Sequence, residues 1–201
     1  MRFQGKTIIV ADGAHGIGRA CTLAFAAEGG AVVIADLDVD AGQALAAEIG
    51  SRGGKALSVG ADVGDAREAG CLVDAALEWA CGVDVLVTGI DPAGAPDLAD
   101  CVPIGEAAAL AMAARGRGAI VILAPADATG SGVLVERVGA LARALADRNI
   151  RVNLVGPLPA DGDPAKLVDL VLFAASDAAG TLTGRCFDAA DAPLAVARVD
   201  A

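Results

Sequence analysis

The stretch Lys6-Thr-Ile-Ile-Val-Ala-Asp-Gly-Ala-His-Gly-Ile-Gly18 runs from an apolar strand-like segment into three glycines and then into an alanine-rich helical pattern. A chain that passes so abruptly from strand to helix must turn on residues without side chains, and Gly13, Gly16 and Gly18 supply them. Such a turn lets the backbone approach a pyrophosphate closely, while the following helix aims unpaired N–H groups and its positive dipole end at the phosphates. Gly13, His15, Gly16, Ile17 and Gly18 are therefore the candidate phosphate-side contacts. Asp12 breaks the pattern. It stands where such turns usually place their first glycine, and a carboxylate there faces the anion the turn should attract.

The same alternation continues along the chain. Apolar runs near residues 7–11, 31–35, 55–60, 83–88, 119–123, 151–155 and 184–188 alternate with Ala/Leu-rich helical patterns near 16–29, 39–52, 65–80, 104–115, 131–147 and 164–175. Strand and helix in strict alternation predict an α/β fold, with a doubly wound parallel sheet of seven strands covered by helices on both faces. At 201 residues with 55% hydrophobic side chains, one core and one domain spanning 1–201 are expected. The loosest stretches, near 91–103 and 156–164, are dense in Pro, Gly and Asp.

A formal charge of −11 argues against a nucleic-acid or anionic-membrane partner, since both draw affinity from clustered Lys and Arg. No apolar run reaches the roughly 18 residues of a bilayer span, and Met1-Arg2-Phe3-Gln4-Gly5 leads straight into a strand, so a cytoplasmic protein is expected. The five cysteines form no C-x-x-C pair and are odd in number, which suggests neither a disulfide framework nor a metal site.

Two helices lack a clean polar face. In 131–147 the residues Val133, Leu134, Val135, Val138, Leu141 and Leu145 spread around most of the circumference, and 104–115 carries charge only at Glu106 and Arg115. A helix apolar all round must be covered all round. One side can lie on the sheet; the other predicts a subunit interface.

Taken together, these segments resemble the short-chain dehydrogenase/reductase family, a Rossmann-type fold. Ile9-Val-Ala-Asp-Gly-Ala-His-Gly-Ile-Gly18 is similar to its T-G-x-x-x-G-x-G segment and Ala61-Asp62-Val63 to its acidic residue after the third strand. Val83-Asp-Val-Leu-Val87 resembles the strand before N-N-A-G. Ile150-Arg-Val-Asn-Leu-Val155, Ala174-Ala-Ser-Asp-Ala178 and Leu182-Thr-Gly184 resemble the closing strand, helix and strand. The resemblance implies that Asp36, about 20 residues past the turn, accepts hydrogen bonds from an adenosine ribose diol and repels a 2′-phosphate, favouring NAD over NADP. It places Asp62 and Val63 near the adenine. Asp12 leaves two outcomes: Gly13 takes over as first glycine and the loop tightens, or the carboxylate opposes the pyrophosphate at a cost of about 1–4 kcal/mol. His15 is read either as a neutral loop residue or as a phosphate contact.

The family's chemistry rests on a tyrosine, a lysine four residues later, a serine and an asparagine. This chain contains no tyrosine. Counting back from Arg151-Val152-Asn153, the tyrosine position falls on Asp127 and the lysine position on Ser131. The serine-bearing strand end reads Leu123-Ala124-Pro125, Thr88-Gly89-Ile90-Asp91 stands for N-N-A-G, and the helix asparagine falls near Asp97. Three functions are compatible with these losses. The first is a non-redox partner subunit, in a homo-oligomer or paired with an active family homologue through helices 104–115 and 131–147. The second is a lyase, isomerase or cyclase using Asp91, Asp97 and Asp127, with Asp161 and Asp163, as carboxylate acid/base groups. The third is an NAD-dependent oxidoreductase with atypical groups.

Overall fold

The computed structural model describes residues 1–89, 98–124, 132–156, 163–188 and 196–197. Its chain order is β1 (Thr7–Ala11), α1 (Gly16–Ala27), β2 (Ala31–Asp36), α2 (Val39–Ser51), β3 (Lys55–Gly60), α3 (Ala66–Ala80) and β4 (Val85–Gly89). It continues through α4 (Val102–Arg115), β5 (Gly118–Leu123), α5 (Gly132–Leu145), β6 (Ile150–Val155), α6 (Pro164–Ala175), β7 (Cys186–Phe187) and β8 (Val196–Ala197). The strands lie side by side in the order β3-β2-β1-β4-β5-β6-β7-β8. Seven run parallel, and β8 closes the edge antiparallel to β7. The expected α/β architecture is therefore present, with one antiparallel edge strand that two residues of local sequence could not announce.

The inner strands are where continuous apolar runs put them, whereas β3 at the sheet edge is only partly buried and carries Lys55 and Ser58. All five residues of β1 are buried, because a central strand of a parallel sheet packs helices on both faces and has no polar side to show. Ile9, Val33, Leu86, Ile120 and Val152 face one layer, built with α3, α4 and α5. Ile8, Val10, Val32, Val85 and Val121 face the other, with Phe25 of α1, Leu45 and Ile49 of α2, and Leu172 of α6.

Helix ends follow local chemistry. Asp65 caps α3 by accepting from the N–H groups of Arg67 and Glu68, both at 2.9 Å, and Asp163 caps α6 through Ala165 N–H at 2.9 Å. At the amino ends of the strands, buried Asp84 accepts from Thr7 N–H at 3.0 Å and faces Arg117 at 3.2 Å and Arg115 at 3.7 Å, tying β1 to β4 and β5. The β3-β2-β1-β4 order puts a crevice at the carboxyl ends of β1 and β4, where successive crossovers leave in opposite directions.

Candidate nucleotide cradle

The turn after β1 opens onto that crevice. Asp12 has φ +49°, a left-handed conformation that a non-glycine residue adopts at a cost and that Asp tolerates better than most. Asp12 itself thus takes the backbone shape of the missing first glycine, and the loop does not shift onto Gly13. Gly13 is instead pinned between strands: its N–H reaches Ala35 O at 3.1 Å, and its carbonyl accepts the Thr22 hydroxyl at 3.0 Å. A Cβ on Gly18 would lie 2.1 Å from the Asp12 carbonyl oxygen, so α1 can enter this closely only on a glycine. Gly16 has φ +48° and is exposed, and Ile17 leans partly buried on the core beneath.

Across the turn, the β1–β2 register pairs Ala11 with Ala35 and brings Asp36 alongside the loop. Its side chain is 9% exposed, and both oxygens are used. Oδ2 accepts from Ala14 N–H and Oδ1 from Asp38 N–H, each at 3.0 Å. A carboxylate offers about four acceptor positions, and these two N–H groups take only two of them. Asp36 therefore fixes the glycine loop in place.

The rest of the rim carries paired charges. His15, the N-cap of α1, makes no side-chain cap bond; its Nε2 lies 3.1 Å from Asp38 Oδ2. Asp38 also caps α2, and the Ala41 N–H foremost, then the His15 ring, hold its carboxyl below the usual carboxylate range. Arg19, on the first turn of α1, is engaged by Glu48 at 2.6 Å. Asp62 accepts from Gly64 N–H at 2.9 Å, while its own N–H goes to Glu68 at 2.8 Å, and Val63 packs partly buried beside the β3 end. The structure thus brings Gly13, His15, Gly16, Ile17, Gly18 and Asp36 together at one turn, and places Asp62 and Val63 at the next strand end. It adds Thr22, and it makes Asp38, legible in the sequence only as an acid at a strand end, the cap of α2. The only signal for Thr22 was a hydroxyl on the apolar face of α1.

Asp91, Asp97, Asp127 and Asp161 lie outside the described residues, and Asp163 is occupied as the cap of α6. Among the described residues, no three His, Cys, Asp or Glu side chains gather as a metal site, and no helix is long and apolar enough to cross a membrane.

The short chain dehydrogenase family model matches residues 6–106, from just before β1 into α4. An uncharacterized oxidoreductase of Methylorubrum extorquens is 31% identical over an alignment covering 94% of this chain and 97% of the relative. The chain belongs to the short-chain dehydrogenase family. A sorbitol dehydrogenase of Cereibacter sphaeroides is 31% identical, with 81% of this chain and 73% of that protein aligned. Among solved structures, a short-chain type dehydrogenase/reductase from Mycobacterium marinum superposes with a TM-score of 0.82 at 26% identity, covering 92% of this chain and 94% of the other. A 7α-hydroxysteroid dehydrogenase complexed with NADH and 7-oxo glycochenodeoxycholic acid shares the fold, with a TM-score of 0.83 at 23% identity and 93% of each chain covered. An NAD(H)-type nucleotide is consistent with this membership. Toward the ribose of such a dinucleotide, Asp36 offers a carboxylate with lone pairs beyond those taken by Ala14 and Asp38 N–H.

Proposed function

We propose that this chain is a non-redox member of the short-chain dehydrogenase family that works as a partner subunit, docking onto a second copy or a homologous subunit through α4 and α5. The observation that carries this reading is the placement of its exposed apolar side chains. Val102 and Leu110 on α4 are 41% and 67% exposed, and Val133 and Leu141 on α5 are 59% and 37% exposed. Between these helices lies a trough of about 230 Å³ that Val102, Ala109, Leu141 and Leu145 help to line. The neighbours Leu134 and Val138 are buried against the sheet, so the outward set is what remains of the all-round apolar pattern.

The exposed fraction of these four side chains amounts to about two whole side chains per subunit. At about 1.5–3 kcal/mol for each, a twofold interface gains on the order of 6–12 kcal/mol, against an association cost of about 4–15 kcal/mol. Such a balance suits subunits that exchange between homo- and hetero-oligomers. The absence of tyrosine removes the family's proton donor for carbonyl reduction. The nucleotide cradle remains in backbone form, with Asp36 favouring an unphosphorylated ribose and hence NAD over NADP. Five free thiols suit a reducing, cytoplasmic setting.

Light scattering tests the interface. The wild type should exceed monomer mass at low micromolar concentration, Leu110→Glu should return it to monomer with an unchanged far-UV spectrum, and a tyrosine-bearing homologue should co-purify with the wild type alone. A stable wild-type monomer that captures no homologue refutes the proposal.

A further inference from the structure

A second cluster of charge lies at the opposite end of the sheet from the glycine turn, at the amino ends of β1, β5 and β6. In a chain of net charge −11, three cations gather there: Lys6 just before β1, Arg117 just before β5 and Arg151 on β6. With Thr183 they line a cavity of about 300 Å³, whose two carboxylates are Asp84 and Asp177. Each cation has a fixed post. Half-buried Arg151 donates to the carbonyls of Ala174 at 2.6 Å, Ser176 at 3.0 Å and Ala175 at 3.3 Å, closing the carboxyl end of α6. Arg117 lies 3.2 Å from buried Asp84 and keeps its side chain 63% exposed. Lys6 is 17% exposed and donates to Asp177, which is 86% exposed.

All three cations act on one carboxylate. The Lys6 hydrogen bond foremost, then the charges of Arg151 and Arg117, hold the Asp177 carboxyl below the usual carboxylate range. Asp177 is thus an anion that the chain itself brings to the mouth of the cavity, and an ion pair with a partner so open to water holds it only weakly. When it swings out, Lys6, Arg117 and Arg151 face Asp84 alone, three positive charges against one negative. Donors remain as well. The Lys6 ammonium has three N–H groups, and Thr183 Oγ1, which accepts from Val152 N–H at 3.0 Å, keeps its own hydrogen to give.

We infer that this cavity binds a phosphate dianion, inorganic or at the end of a small phosphomonoester, in exchange for the Asp177 carboxylate. A dianion balances the two net positive charges that the departing carboxylate uncovers. A monoanion such as acetate replaces like with like and gains nothing to offset its lost freedom. Arg117 supplies the planar fork and Lys6 the point charge that phosphate oxygens accept from. The volume is at the lower end of ligand pockets, which leaves room for a small organic remainder beyond the phosphate.

Calorimetry on the full chain at constant ionic strength, with inorganic phosphate, glycerol 3-phosphate and acetate, tests the exchange. The wild type should bind phosphate saturably at millimolar concentration, about tenfold or more tighter than acetate. Asp177→Asn removes the competing carboxylate and should tighten phosphate binding about three- to tenfold, and Lys6→Gln should weaken it about tenfold. Glycerol 3-phosphate binding more tightly than phosphate assigns the site to a phosphomonoester; equal or weaker binding assigns it to the inorganic ion. If Lys6→Gln does not fold, the comparison of Asp177→Asn with the wild type decides alone. Phosphate no tighter than acetate, or an Asp177→Asn protein that binds phosphate no better than the wild type, overturns the inference.

Discussion

Replacing Asp36 by Asn tests whether this side chain supports the fold as well as a ligand. Two backbone N–H groups, from Ala14 and Asp38, each approach a different oxygen of a side chain that is 9% exposed. Asn offers one oxygen and one NH₂. One N–H keeps an acceptor, now neutral, and the other faces a donor. A hydrogen bond to a charged group contributes about 1.5–3 kcal/mol, and a buried donor left unpaired costs about 1–3 kcal/mol. Some of this is returned by lowering the negative charge beside Asp38. The expected net loss is about 2–4 kcal/mol, which for a domain of this size lowers Tm by about 4–16 °C. Urea unfolding followed by far-UV circular dichroism measures it, provided the denaturant slope is unchanged. Asp38→Asn is the control: its side chain is half exposed, and Asn caps a helix as well as Asp, so it should stay within about 0.5 kcal/mol of wild type. If Asp36→Asn loses less than about 1 kcal/mol, the double grip on the loop is not a structural constraint and the argument for a fixed cradle fails.

Three further outcomes follow from packing and titration. Gly18→Ala sets a methyl 2.1 Å from the Asp12 carbonyl oxygen, which is backbone and cannot swing away, so chemical denaturation should show a loss of about 1–3 kcal/mol or more; Gly70→Ala in α3, with nothing within 4 Å, should gain about 0.5–1 kcal/mol. Native protein titrated with a thiol reagent at pH 8 should show two fast cysteines, the exposed Cys71 and Cys81; burial pushes the Cys21 thiol up to about 12 and raises Cys186 as well, and a third fast thiol would contradict this. Asp177 is held below its usual 3.8, first by the hydrogen bond from Lys6, so its contribution is present at neutral pH and is lost as the pH falls through that lowered value; Asp177→Asn should flatten the acid limb of a stability–pH curve, and an unaltered limb would show that the pair is not coupled to folding.

How legible all this was in the sequence depended on the range of the interaction involved. Strands β1, β2, β4 and β5 announce themselves because a buried parallel strand is a run of apolar residues, and a run is a local property. For β8 no such property exists: two residues beside β7 become a strand only because an edge is there to receive them. The apolar circumference of α5 was visible, but only packing sorts it into Leu134 and Val138 inside and Val133 and Leu141 outside. In the cradle, the glycines and Asp36 could be read by type and spacing. The bonds that make them a site could not. Ala14 to Asp36 and His15 to Asp38 span 22 and 23 residues, and their partners meet only once β1 and β2 are in register.

Asp12 shows the converse, a residue whose chemistry was plain and whose consequence depended on geometry. From the sequence alone, the loop could have tightened onto Gly13, leaving the carboxylate outside the turn. The left-handed φ at Asp12 and the seating of Gly18 on its carbonyl remove that escape. The backbone shape of the glycine turn is thus kept with an aspartate at its first position, and the geometry of Gly18 depends on it.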